Sequence, residues 1–172
     1  YEFAGWADAT SGNEPCVMPE NVPYTSDWLI VYKALWTPVQ DVPFTVKHYV
    51  QNANDDGYEL YMTDYLTGAY DDPVKPRDYV SEKVLDDGFN WNLDINPGAT
   101  KTERIVLDGS LVIRLYYSRN EYAVYSEDMR QNIGYFRHGS TVDLTSFEDV
   151  PRKGGYRFVG WDKAFAPATE DV

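Results

Sequence analysis

The chain has 172 residues, 43% hydrophobic and 16% aromatic, enough apolar bulk for one large folded domain or two to three small ones. A formal net charge of −13 with no cluster of Lys and Arg excludes phosphate-directed nucleic-acid binding and disfavours an anionic membrane surface. Cys16 is the only cysteine, which excludes an internal disulfide framework and a four-thiolate zinc site.

In chain order, the sequence opens with Tyr1-Glu2-Phe3-Ala4-Gly5-Trp6. The same Y-x-F-x-G-W pattern returns near the end as Tyr156-Arg157-Phe158-Val159-Gly160-Trp161, with an Asp within two residues of each copy. Residues 28–36, ending Val31-Tyr32-Lys33-Ala34-Leu35-Trp36, predict a closing strand. Pro38 and Pro43 then remove backbone donors, and 37–43 is expected to be a linker. Phe44-Thr45-Val46-Lys47-His48-Tyr49-Val50 alternates cleanly and turns at 52–57 into Tyr58-Glu59-Leu60-Tyr61-Met62-Thr63, which predicts a β-hairpin. The stretch 74–87, with Val74, Tyr79, Val80, Val84 and Leu85, has room for one short helix. Ile105-Val106-Leu107, the Asp108-Gly109 turn and 111–117 predict a second hairpin. After a junction at 118–121, strands are expected at 122–125 and near 140–144, ahead of Gly154-Gly155 and the second motif.

These residues carry a family resemblance. Tyr1 to Trp6 with Asp8, and Gly155 to Asp162, resemble the G-Y-x-F-x-G-W core of the internalin-type B repeat, also called the Listeria-Bacteroides repeat. The strand ending at Trp36 is similar to that repeat's closing L-Y-A-x-W. The centre resembles the MucBP (mucin-binding protein) repeat, through Thr45-Val46-Lys47-His48-Tyr49 and through 108–120 as its closing hairpin. Asp128 to Gly134 stands where the B repeat has an Asn-Gly-Gly turn. The resemblance implies an α+β, mostly β chain of tandem small β-grasp (ubiquitin-like) modules in an elongated arrangement. Residues 1–37 would be the rear part of one B repeat, 44–120 a MucBP-like module and 121–172 the front part of a second B-repeat-like module.

Each candidate for chemistry has a plainer structural reading. Phe3, Trp6, Phe158 and Trp161, with Tyr1, Gly5, Tyr156 and Gly160, are expected to build small cores around the glycine, although amphipathic rings also suit sugar faces. Trp91, in a polar stretch after Gly88-Phe89-Asn90, is expected at the surface and is the residue singled out for ligand contact. Asn52-x-Asn54-x-Asp56-Gly57 matches the first half of a calcium loop, but Thr63 stands where the closing glutamate belongs, so a hairpin turn is expected and no metal. His48 and His138 have no ligand neighbour at i+3 or i+4. Lys47 is the lysine to inspect for a self-formed crosslink to Asn or Asp. No G-x-S-x-G, Walker, H-E-x-x-H or G-x-G-x-x-G motif occurs, and the chain is expected to be non-catalytic without a cofactor.

The resemblance implies an extracellular repeat region on the cell wall of a Gram-positive bacterium. Its role would be attachment to mucin glycoprotein or host-surface glycans, or spacing as a stalk. An accessory carbohydrate-binding module of a secreted glycoside hydrolase is the alternative. The chain is expected to be a monomer, part of a longer polypeptide whose targeting signals lie outside it, with no membrane insertion within the segment.

Overall fold

The structure is a computed structural model and describes residues 1–9, 14–17, 31–126, 131–142, 154–157 and 159. Residues 28–30 of the predicted closing strand, and Phe158, Gly160 and Trp161 of the second motif, lie outside the described residues. Strands dominate, as the period-2 alternation of apolar residues requires. They are β1 (Glu2–Asp8), β2 (Tyr32–Thr37), β3 (Val42–Gln51), β4 (Tyr58–Gly68), β5 (Pro73–Val74), β6 (Phe89–Asn90), β7 (Glu103–Arg104), β8 (Val112–Arg119), β9 (Glu121–Ser126) and β10 (Gln131–Arg137). Among the described residues helix is confined to a 3-10 turn at Pro76–Tyr79 and a short α1 at Glu82–Asp86, within the stretch expected to hold one. No helix among the described residues is long and apolar enough to cross a membrane. The strands pair as β1-β2, β9-β10, β5-β7 and a four-stranded β4-β3-β8-β6.

The chain forms two compact units. The first comprises Tyr1–Thr45, Tyr65–Val74 and Thr102–Val112. In it β1 runs antiparallel to β2 from Glu2 opposite Thr37 to Asp8 opposite Tyr32. The register steps between Phe3 and Gly5, a bulge that Gly5 accommodates at φ +132, where a side chain is disfavoured. Val42, Phe44, Val74 and Ile105 are buried. The predicted linker is shortened to 38–41, a bend between β2 and β3. Tyr70 N–H donates to the Val39 carbonyl (2.8 Å), Gln40 to the Pro38 carbonyl (2.9 Å), and Pro43 occupies an exposed position inside β3.

The hairpin expected around Asp108-Gly109 does not form. Ile105 is spent on the core, and its backbone is bonded to 71–72: Asp71 N–H donates to the Ile105 carbonyl and Ile105 N–H to the Asp72 carbonyl. β7 therefore pairs with β5. Residues 106–109 still turn, closed by Gly109 N–H to the Val106 carbonyl and by Ser110 N–H to the Asp108 carboxylate, and deliver the chain to β8 beside β3.

The second unit comprises Val46–Asp64, Lys75–Lys101 and Ile113–Val172. Its core takes every second residue of β3 (Val46, His48, Val50) and of β8 (Ile113, Leu115, Tyr117), with Val84 from α1, Phe89 from β6 and Ala99. Each fully buried aliphatic chain contributes about 1.5–3 kcal/mol. The loop 91–101 is pinned by buried Asn96, whose amide accepts from Tyr116 N–H (2.9 Å) and donates to the Tyr116 (2.8 Å) and Asn92 (2.9 Å) carbonyls. The strand partner of β9 is β10, which occupies a stretch not expected to be a strand. Residues 140–142 carry no strand, and 143–144 lie outside the described residues.

Candidate functional site

In the first unit the bulge decides where the rings go. Without it Phe3 and Trp6 would point to opposite sides; the extra residue shifts the alternation by one and puts them on the same face. Trp36, opposite Phe3, completes the cluster. Phe3 meets Trp6 edge-on at 5.5 Å and Trp36 at 5.7 Å. The expectation of a small core fails here, because Phe3, Trp6 and Trp36 remain 52%, 40% and 58% exposed, and Ala7 is the buried residue of the strand. Tyr1 is also exposed and lies edge-on to Tyr70 at 5.3 Å. Tyr156 of the second motif is exposed.

In the second unit the chain from β8 to β10 is fastened by polar groups at the 118–121 junction. Arg119 Nε donates to the Gln51 carbonyl (2.6 Å), Arg119 N–H to Gln51 Oε1 (3.1 Å), and Arg119 Nη1 to the His138 carbonyl (3.0 Å). Its guanidinium lies 4.9 Å from the centre of the Phe89 ring, a cation–π geometry. Asn120 donates to the Gly88 carbonyl and accepts from His138 N–H. The His138 imidazole lies directly on Gly88, where a Cβ would come within 2.5 Å of it, and Gly88 has φ +89. Only glycine meets both demands. Arg137 holds the 52–57 turn, donating to the Asp55 carbonyl (2.6 Å) and the Asp56 carboxylate (2.5 Å).

The turn with the half calcium-loop pattern is ordered from within as well. The Asp55 carboxylate accepts from Asn52 Nδ2 and Gly57 N–H, both at 2.7 Å, and these bonds hold its pKa below the ordinary carboxylate value. Asp56 is paired with Arg137. The described residues contain no group of three or more His, Cys, Asp or Glu placed to hold a metal ion. Lys47 alternates with buried Val46 and His48 and so faces the other side of β3.

A chain of buried polar groups crosses the second unit's core. Tyr117 hydroxyl accepts from Ser81 N–H (3.0 Å) and lies 2.9 Å from His48 Nδ1; His48 Nε2 lies 3.1 Å from Asp64 Oδ2. The hydroxyl has one proton and a second lone pair left for Nδ1, and the tautomer with the imidazole proton on Nε2 is the one that donates to Asp64. Burial raises the Tyr117 pKa, the Ser81 N–H opposes this, and the Asp64 charge adds to the rise. An Asp-His-hydroxyl series has the composition of a nucleophile relay, but His48 and Tyr117 are 0% exposed, so the hydroxyl offers no face to a substrate. It is an internal brace. At the surface, Tyr61 donates to the Asp87 carboxylate, which Lys83 also reaches at 3.3 Å. This lowers the Asp87 pKa and raises those of Tyr61 and Lys83.

Trp91 is half-buried rather than fully at the surface, and its indole N–H and His138 Nδ1 are buried without a hydrogen-bond partner. Sequence reasoning left Arg119, Arg137 and Gly88 without a role. The only local signal was the Asp87-Gly88 pair, since a glycine after a helix often takes positive φ. No protein-family model, no curated protein and no solved structure matches this chain.

Proposed function

We propose that this chain is a non-catalytic repeat region of a Gram-positive bacterial cell-surface adhesin, built of small β-grasp-like modules that serve as a stalk and offer weak mucin or glycan contacts. The observation that carries the reading is the fastened junction: Arg119, Arg137, Asn120 and His138 tie the β9-β10 hairpin to the turns and strands around it. A stalk needs its successive elements to transmit position, and a flexible tether there would not. The repeated Y-x-F-x-G-W motif supports tandem units, which can raise a weak single-site affinity through multivalency.

Small-angle scattering on one, two and three copies joined in tandem tests the stalk. Its largest dimension should rise in proportion to copy number. Growth as about the square root of chain length, the law of a flexible coil, would contradict it. Binding of the same one-, two- and three-copy chains to immobilised mucin, beside a Trp91→Ala variant, tests the adhesive part. Saturable binding weakened by that variant supports contact at Trp91, and no binding even by three copies leaves the spacer alone.

The exposed rings Phe3, Trp6 and Trp36 favour the second reading, an accessory carbohydrate-binding module, because such rings stack on pyranose faces. One neutral polysaccharide bound selectively, with mucin ignored, would decide for it.

A further inference from the structure

Within the second unit the four-stranded sheet ends differently on its two sides. On the β6 side the edge is closed. β6 pairs only with Ser118 and Arg119 of β8, and where it stops the Asn96 side chain takes over, accepting from Tyr116 N–H (2.9 Å) and donating to the Tyr116 carbonyl (2.8 Å). The Asn96 amide thus stands in for a further strand. On the opposite side β4 is the last strand among the described residues, and no described side chain caps the backbone of 58–64, the part of β4 that belongs to this unit.

β4 follows β3 through the 52–57 turn, closed by Asn52 N–H to the Gly57 carbonyl (2.9 Å), so the two strands are antiparallel. Alternate residues of such an edge strand turn their N–H and C=O groups outward. Natural edges are commonly blunted by Lys or Pro. Tyr58-Glu59-Leu60-Tyr61-Met62-Thr63-Asp64 contains neither, and it exposes Leu60 and Tyr61. A row of outward donors and acceptors at strand spacing is matched by another extended backbone. Charge then selects among extended backbones. Glu59 and Asp64 stand on the strand and Asp87 is bonded to Tyr61, with Lys83 as its counter-charge. Two copies of a chain at −13 repel when brought edge to edge, whereas a basic segment is drawn in.

We propose that the β4 edge over Tyr58–Asp64 is a docking site for an extended, Lys- or Arg-bearing segment of another polypeptide, which adds to the sheet as a fifth strand. Its backbone bonds the outward groups of β4, and its side chains lie beside Leu60 on one face and Tyr61 on the other. Its cations meet Glu59 and the exposed part of Asp64. The docking goes beyond the stalk reading and does not depend on it.

Amide exchange and a peptide titration of the 15N-labelled chain test it. The probes are a short peptide alternating Val and Lys, the same peptide with every amide N-methylated, and one with Glu in place of Lys. In the free chain alternate amides of 58–64 should exchange fast. The Val-Lys peptide should saturate, shift resonances along β4 and slow those amides about tenfold or more. N-methylation keeps the charge and removes the donors, and should weaken binding about tenfold or more. The Glu peptide should not bind, and Glu59→Lys should weaken the Val-Lys peptide by about three- to tenfold. Unchanged resonances outside β4 establish that this variant is folded; Glu59→Gln replaces it should it unfold. Uniformly slow β4 amides in the free chain would mean that the edge is already covered, and overturn the proposal. So would equal binding of the N-methylated peptide, shifts centred away from β4, or no saturation by about 1 mM peptide. Self-association that slows the same amides would assign the edge to a second copy instead.

Discussion

The hairpins β1-β2 and β9-β10 are built alike and held differently. Both are two-stranded and antiparallel, with a bulge just before a glycine and a ring just after it. Around β9-β10, polar groups do the fastening: Arg119 and Arg137 grip carbonyls 51 and 55, and the His138 ring lies on Gly88. On β1-β2 the rings contact one another and remain half-exposed. Aromatic content alone thus marks neither core nor contact surface. The bulge sets which way a ring points, and the hydrogen bonds at the ends of a hairpin determine whether it is tied down.

The largest effect should come from breaking the tied hairpin at its tightest point. Gly88→Val forces a branched side chain into positive φ and into the His138 ring, at a cost of about 2–4 kcal/mol. Its denaturation midpoint should drop, and amides of β9 and β10 should exchange faster than those of β3. Equal acceleration in all strands would mean that Gly88 supports the whole core and not the junction.

Next comes the brace beneath it. Tyr117→Phe removes one hydroxyl and leaves Ser81 N–H and His48 Nδ1 unpaired, for a loss of about 1–3 kcal/mol by denaturant unfolding. The same variant sharpens the pH response. Because burial raises the Tyr117 pKa above the ordinary value of 10.0, the folded chain keeps its proton after the unfolded chain has lost it, so stability falls as pH rises through that range. Replacing Tyr117 by Phe should flatten this alkaline slope; an unchanged slope would place its origin elsewhere.

The smallest effect is expected on the open face. Trp36→Ala should move the stability of the isolated chain by no more than about 0.5 kcal/mol, since the ring is largely in water. A loss of several-fold more in a thermal melt would mean that the β1-β2 rings are a core after all.

Much of the strand framework was legible locally. The alternation of Phe44, Val46, His48 and Val50 marks all of β3 but its first two residues, which were expected in the linker, and its turn at Asn52 to Gly57 follows from residues that bond within the turn itself. What escaped depends on partners far along the chain. The Asp108-Gly109 turn has every local sign of a hairpin, yet Ile105 pairs with 71–72 and β8 with β3. His48 looks like an ordinary alternating residue until Tyr117, 69 positions away, supplies its bond; Arg119 and Gln51 meet across 68. Local pattern registers which residues alternate, and it carries no information about which distant backbone group needs a donor.

Backbone 15N relaxation of the whole chain tests the fastened junction most directly. Order parameters through Glu121–Ser126 should match those of β3 and β8, near about 0.85, and share their correlation time. Values below about 0.6, or a separate and faster correlation time for that hairpin, would show it swinging on a tether and would contradict the stalk account.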